Sequence, residues 1–175
     1  MNHFLEFAID ACTQAGKITL EYYQKHFEIE TKSDQSPVTI ADRKSEQKIR
    51  ELIQKYFPSH AIIGEEYGGN KSDNPYCWYI DPIDGTKAFA HGVPIYGVML
   101  GLEIKGNFAV GVVNLPVINE IAGAARGEGC FWNGSPAHVS RKTSLKDALF
   151  AHSGREYFVQ SGRLKAYQEL EEATS

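Results

Sequence analysis

Two regimes of hydrophobic patterning divide the chain. From Phe4 to Tyr22 apolar side chains recur at helical spacing (Phe4, Phe7, Ala8, Ala11, Ala15, Ile18, Tyr22), which predicts an amphipathic helix over residues 3–26. A polar loop follows, Lys32-Ser33-Asp34-Gln35-Ser36-Pro37. Thr39 followed by Asp42 resembles a capping box with Asp in place of Glu, so a second helix starts there. Ile49, Leu52, Ile53, Tyr56 and Phe57 give it an apolar face, and Pro58 stops it. Beyond Pro58 the period shortens. Ala61–Ile63 and Tyr76–Ile80 are short apolar runs; Ile95–Ile104 and Phe108–Asn114 flank Lys105-Gly106-Asn107 and read as a hairpin. Ile118–Ala125 is a further strand, and Asn133-Gly134 lies between extended residues as a tight-turn signal. Leu149–Ala151 is expected as a last strand and residues 155–174 as a helix. Helices first and strands afterwards predict an α+β fold, two N-terminal helices packed on a mostly antiparallel sheet, with residues 1–175 as one domain.

Composition fits that picture and narrows the function. At 175 residues, 42% hydrophobic and 23% charged, the chain is long enough for a sizeable core. A formal charge of -4 argues against a nucleic-acid partner, and no apolar stretch is long enough to span a bilayer. The start, Met1-Asn2-His3-Phe4-Leu5-Glu6, carries no basic region and does not read as a signal peptide. Cys12, Cys77 and Cys130 are scattered without CxxC spacing, so they read as buried thiols in a reducing, cytoplasmic setting.

The chemistry concentrates at two strand ends. Ile62-Ile63-Gly64-Glu65-Glu66 and Trp78-Tyr79-Ile80-Asp81-Pro82-Ile83-Asp84-Gly85-Thr86 are apolar runs that end in carboxylates. Four acids gathered there repel one another unless a hard cation sits among them, and oxygen donors favour Mg²⁺, with Mn²⁺ or Ca²⁺ as substitutes. A proline turn can aim Asp81, Asp84 and the Ile83 carbonyl at one ion. Several acids suggest two or more ions, an arrangement suited to hydrolysing a phosphate monoester. Gly85-Thr86 then opens a helix or turn whose N–H groups can hold phosphate, and the Thr86 hydroxyl can orient water. An Asp-Pro-x-Asp-Gly segment alone is also compatible with a plain surface turn. Other candidates are weaker. His91 reads as a turn residue before Gly92, His152 as a possible pocket residue, and Lys87 and Arg155 as solvated charge. Neither a serine nucleophile elbow nor a phosphate-binding Walker loop is present.

These motifs, with Lys32–Thr39, Ala41-Asp42 and Trp132-Asn133-Gly134, resemble the signatures of the inositol monophosphatase family over about residues 5–153. The resemblance implies the N-terminal part of a layered α/β/α sandwich, a lithium-sensitive phosphatase using two or three Mg²⁺ ions, a small phosphorylated alcohol as substrate, and a homodimer. It implies that Glu65, Asp81 and the Ile83 carbonyl hold a first metal and Asp81 and Asp84 a second. Glu65 and Thr86 would position water, and the Gly85 and Thr86 amides would bind phosphate. Glu66 would stand behind the metals or near a third, with Asp42 and Lys32 close to the site. Thr86-Lys87-Ala88-Phe89, Gly92–Gly97 and Val112–Val117 look more like the histidinol-phosphate phosphatase branch than inositol-1-monophosphatase. Members continue into a second half with a Trp-Asp motif, whereas Trp78 and Trp132 are the only tryptophans here. The expectation is therefore a chain lacking the C-terminal half, either catalytic as part of a whole or a non-catalytic remnant that binds metal or a partner.

Overall fold

The computed structural model describes residues 2–25, 29–31, 37–71, 73–152 and 154–174. The chain divides into two compact units, Met1–Ala137 and His138–Ser175.

The first unit opens with helix α1 (His3–Tyr22), capped by the Asn2 side chain, which accepts from the Phe4 N–H at 2.9 Å. The helix stops short of the predicted end. Tyr23 leaves helical geometry, and its hydroxyl donates to the Gly92 carbonyl at 2.5 Å, tying the chain to a distant loop; His26 lies outside the described residues. The buried stripe of α1 consists mostly of small residues, Ala8, Ala11, Cys12, Ala15 and Gly16, so the helix lies close to the sheet. A Cβ on Gly16 would stand 2.4 Å from Nδ2 of Asn114. That nitrogen donates to the Cys12 carbonyl at 2.9 Å and pins the helix.

Strands β1 (Ile29–Thr31) and β2 (Pro37–Thr39) pair antiparallel, and β2 runs directly into helix α2 (Ile40–Tyr56). The capping box expected at Thr39 and Asp42 is present. Ile49 and Ile53 are buried, Phe57 packs against the core, and Tyr56 is exposed, since it lies past the stripe that faces the sheet.

The main sheet has seven strands in sequence order: β3 (Ala61–Gly64), β4 (Tyr76–Asp84), β5 (Gly97–Ile104), β6 (Asn107–Leu115), β7 (Glu120–Ala125), β8 (Gly129–Trp132) and β9 (Ser135–Ala137). Only β3 and β4 are parallel neighbours; every other pair is antiparallel. Both predicted tight turns have positive φ at two successive residues, 50° and 81° at Lys105-Gly106 and 47° and 79° at Asn133-Gly134, the type I′ geometry that matches strand twist. Pro116–Ile118 forms a 3₁₀ turn rather than the start of β7. Trp78, Ile80, Val98, Leu100, Leu102, Val110 and Val112 face α1 and α2 and build the core, each large side chain contributing about 1.5–3 kcal/mol. Cys12 and Cys77 are buried, Cys130 is half-buried, and all three are free thiols.

Helix α3 (Thr86–Ala90) lies between β4 and β5. The second unit holds a 3₁₀ turn (Leu145–Asp147), helix α4 (Arg155–Gln160) and helix α5 (Leu164–Ala173). The helix expected over 155–174 breaks at Ser161-Gly162, where Gly162 has a φ of 70°. Leu149–Ala151 forms no strand: Leu149 faces solvent, and Phe150 joins a ring cluster with Phe158 and Tyr167 instead of a ladder. Among the described residues no helix is long and apolar enough to cross a membrane.

Candidate metal and phosphate site

Parallel pairing of β3 and β4 is the origin of the site. Gly64 lies opposite Ile80 in the register, so the next residues, Glu65 and Asp81, emerge side by side at the same end of the sheet. The Glu65 N–H donates to the Ile80 carbonyl at 3.2 Å, which carries the pairing one residue further.

The Asp81–Asp84 segment is not the turn that Pro82 suggests. Strand β4 continues through it with a bulge: Asp81 faces Met99 and Asp84 faces Gly97, three steps on one strand against two on the other. Pro82 has no N–H to give to the ladder, so the irregularity falls where a regular strand would lose a bond. The extra residue also changes the parity. Side chains three apart on a regular strand point to opposite faces, and one added residue returns them to the same side. Ile83 turns into a second apolar cluster with Ala41, Phe89 and Tyr96. The bulge thus separates anchoring, by Ile83, from chemistry, by the two aspartates.

Electrostatics show how closely the acids approach. Burial, the negative charges of Glu65 and Asp84, and a hydrogen bond with Glu65 push the Asp81 carboxyl up to about 7. Asp81 Oδ1 is buried and, among the described residues, has no hydrogen-bond partner. Burying such an oxygen is costly unless a donor or cation meets it.

Asp42 closes the site from α2. It is 1% exposed, and its Oδ2 accepts from the Thr39 N–H at 2.8 Å and from the Thr39 hydroxyl at 2.6 Å. Its Oδ1 faces Thr86, whose hydroxyl lies 3.4 Å away and also reaches the Ile83 carbonyl at 3.1 Å. Burial raises the Asp42 carboxyl above its ordinary range, and Glu65 adds to that, against the lowering effect of the Thr39 hydrogen bonds. Gly85, with a φ of 89°, turns the chain out of β4 into α3. The first N–H groups of a helix have no intrahelical acceptor, so those at this turn are available to an anion.

Glu65, Asp81, Asp84, the Ile83 carbonyl, Thr86 and Asp42 all lie at this end of the sheet. Lys32 lies outside the described residues. The Glu66 N–H donates to the Glu46 carboxylate at 2.7 Å. His91 ends α3, its Nδ1 2.8 Å from the Lys87 carbonyl, as a turn residue should. His152 meets the Tyr167 hydroxyl at 3.3 Å within the second unit, and Lys87 and Arg155 are exposed.

Among the described residues no three His, Cys, Asp or Glu side chains converge closely enough to cage a metal on their own. Magnesium does not need such a cage, since it is commonly held by one or two carboxylates with waters and substrate oxygens completing the octahedron. Oxygen-only donors, a buried Asp81 oxygen with no partner among the described residues and neighbouring acids that repel one another fit that cation.

Sequence patterning missed Ser45, Glu46 and Arg50. Ser45 Oγ donates to the Pro82 carbonyl at 3.4 Å, and Glu46 is fully buried. The signal was present: Asp42, Ser45 and Glu46 share the helical stripe of Ile49 and Ile53, and acids on a core-facing stripe are rarely idle.

Comparisons with known proteins bear on the family of the chain. Residues 1–174 match the profile of the inositol monophosphatase family. The chain is 42% identical over 156 residues to a histidinol-phosphatase of Chlorobaculum parvum, across 89% of this chain and 60% of that protein. A fructose-1,6-bisphosphatase/inositol-1-monophosphatase of Aquifex aeolicus is 38% identical over 150 residues, 85% of this chain and 57% of the other. Among solved structures, a Thermotoga maritima IMPase superposes with a TM-score of 0.86 at 30% identity, over 99% of this chain and 66% of its own. The chain thus spans about 60% of the length of the curated relatives it matches. With nearly its whole length matched by the profile and these identities behind it, the chain belongs to the inositol monophosphatase family.

Proposed function

We propose that the chain carries the metal- and phosphate-binding part of a Mg²⁺-dependent phosphomonoesterase whose substrate is histidinol phosphate. The observation that carries the metal reading is the buried Asp81 oxygen that has no hydrogen-bond partner among the described residues, beside Glu65 and Asp84. The substrate choice is supported by the 42% identity to a histidinol-phosphatase. Inositol monophosphate is the runner-up, supported by the Aquifex aeolicus relative.

Glu65, Asp81 and the Ile83 carbonyl would hold one magnesium ion, and Asp81 with Asp84 a second. Magnesium bound there supplies positive charge against the acids and the phosphate and lowers the barrier to in-line attack by water. The remaining steps belong to the chain. Glu65 accepts the proton of the attacking water. The Thr86 hydroxyl, which has one proton and two acceptors within reach, orients that water while Asp42 and the Ile83 carbonyl hold it in place. The Gly85 and Thr86 N–H groups bind the non-bridging phosphate oxygens.

The test is phosphate release by the 175-residue chain from histidinol phosphate and from inositol 1-phosphate, with Mg²⁺, with EDTA and with added Li⁺. Mg²⁺-dependent, Li⁺-inhibited release favouring histidinol phosphate is expected. Retained Mg²⁺ binding without release would instead favour a metal-binding module without turnover, a reading motivated by the partial coverage of the relatives. Release that survives EDTA would overturn the metal chemistry.

A further inference from the structure

We propose that Glu46, braced by Arg50, is a positioning residue that fixes the Glu65 carboxylate in the acid cluster; this rests on the metal-site reading above. Glu46 lies on the buried face of α2 and has no solvent exposure. Its carboxylate is wrapped by the segment that carries Glu65. Oε2 accepts from the Glu66 N–H at 2.7 Å, and Oε1 accepts from the Tyr67 N–H at 3.3 Å. Arg50, one helical turn on, donates from Nε to Oε1 at 2.7 Å and from Nη2 to the Gly68 carbonyl. The Gly64 N–H donates to that same carbonyl at 2.9 Å, so the loop closes on itself around the carboxylate.

Gly64 shows how tightly the two elements are joined. A Cβ at that position would lie 1.9 Å from Glu46 Oε1, so a side chain there would displace the carboxylate. Glu65 therefore has both flanks fixed. Glycine and the Glu46 oxygen sit on one side, and the Glu66 and Tyr67 N–H groups bound to Glu46 sit on the other. Its own N–H is committed to Ile80. Glu46 thus holds the backbone on either side of Glu65, and with it the point from which the Glu65 side chain leaves beside Asp81.

The charges are arranged to match. Arg50 neutralises Glu46, so this buried acid adds little repulsion to Glu65, Asp81 and Asp84. The planar guanidinium serves the carboxylate from Nε and the Gly68 carbonyl from Nη2, two separate donors that the single ammonium of a lysine does not offer. Groups bonded directly to metal ligands typically carry about 10–100-fold in metal affinity, and Glu46, which acts through the backbone that carries Glu65, is expected toward the lower end of that range.

The experiment is a Mn²⁺ titration of the 175-residue chain, with binding read from the loss of the free-ion electron paramagnetic resonance signal. Circular dichroism and thermal melts run alongside. Glu46→Gln puts an amide donor against either a backbone N–H or Arg50, and it is expected to weaken Mn²⁺ binding about 10-fold or more while the fold is kept. Arg50→Lys is expected to give a smaller loss in the same direction, and it carries the comparison if Glu46→Gln does not fold. Ile53→Val, a core change on the same helix, lowers the melting temperature without changing Mn²⁺ affinity. Gly64→Ala weakens binding as Glu46→Gln does, and the two together are no worse than either alone, because they act through one contact. Wild-type affinity in Glu46→Gln and Arg50→Lys, or an Ile53→Val loss as large as theirs, overturns the positioning role alone. A wild-type chain that binds no Mn²⁺ overturns the metal-site reading itself.

Discussion

Replacing Asp81 with asparagine separates stability from function in this chain. The carboxyl sits at about 7 in the folded protein, against 3.8 for an unperturbed aspartate. Because the folded value is the higher, folding favours the protonated acid. The stabilisation it gives is complete below the unfolded value and lost as pH rises through about 7. Taken in full, the shift would be worth about 4 kcal/mol at 1.36 kcal/mol per unit, an upper bound. Asp81 is only partly buried, and screening by solvent reduces the cost of ionising it at pH 8 to about 1–2 kcal/mol. The D81N amide keeps the shape of the protonated acid and cannot ionise. In EDTA at pH 8 the variant should therefore melt higher, by about 2–4 °C for each kcal/mol gained. Near pH 4 the gap should close, since the wild-type acid is then protonated as well. Magnesium reverses the order: at a hundred times its dissociation constant it adds about 2.7 kcal/mol to the wild type, more than the cost of ionising Asp81, and it adds little to a variant that has lost the ligand. Calorimetric melts across pH, with and without Mg²⁺, measure all three quantities. A D81N chain less stable than wild type in EDTA at pH 8, or a difference that does not grow between pH 4 and 7, would refute the electrostatic reading.

Four further outcomes are expected. Asp84→Asn should abolish phosphate release, because a neutral amide holds Mg²⁺ poorly; near-normal release would remove the aspartate pair from the mechanism. Thr39→Ala deletes both the cap of α2 and a donor to Asp42, and should cost about 1 kcal/mol, seen as a lower melting temperature. His60, stacked between Phe57 and Tyr76, accepts the Trp78 indole N–H on Nδ1 at 3.0 Å, and burial holds its pKa below the ordinary histidine range. Its neutral form is thus the folded one, and stability should fall as pH drops below about 6.5; in the D81N background, where the opposing Asp81 effect is gone, His60→Gln should flatten that fall, and an unchanged slope would disprove it. Ile95, Phe108, Val139 and Leu149 are all well exposed, so the 175-residue chain should self-associate, and a clean monomer by light scattering would contradict this.

Legibility in the sequence followed the range of the interactions involved. The Thr39–Asp42 cap, the Asn133-Gly134 turn and the acids at two strand ends depend on neighbours a few residues away, and each was readable from spacing. The parallel pairing of β3 and β4, which sets Glu65 beside Asp81, joins segments separated by a loop, and no local pattern encodes it. Pro82 misled for a physical reason: proline signals a turn or a bulge equally well, and only the partner strand decides which. Glu46 escaped because an acid on an amphipathic helix is read as solvent-facing, although its position on the Ile49–Ile53 stripe contradicted that. Leu149–Ala151 had strand composition without a partner, and an isolated strand has nowhere to place its backbone groups.

The bulge in β4 also limits how this site can be altered or moved. Deleting Pro82 or Ile83 would leave a regular antiparallel pairing of β4 with β5, and the two aspartates, then two residues apart, would stay on one side of the sheet; what would be lost is the extra residue that lets Ile83 pack among Ala41, Phe89 and Tyr96 behind them. Conversely, anyone transplanting the two aspartates onto another hairpin must carry the odd residue count with them: three residues set against two is the unit that transfers, and the acids alone are not.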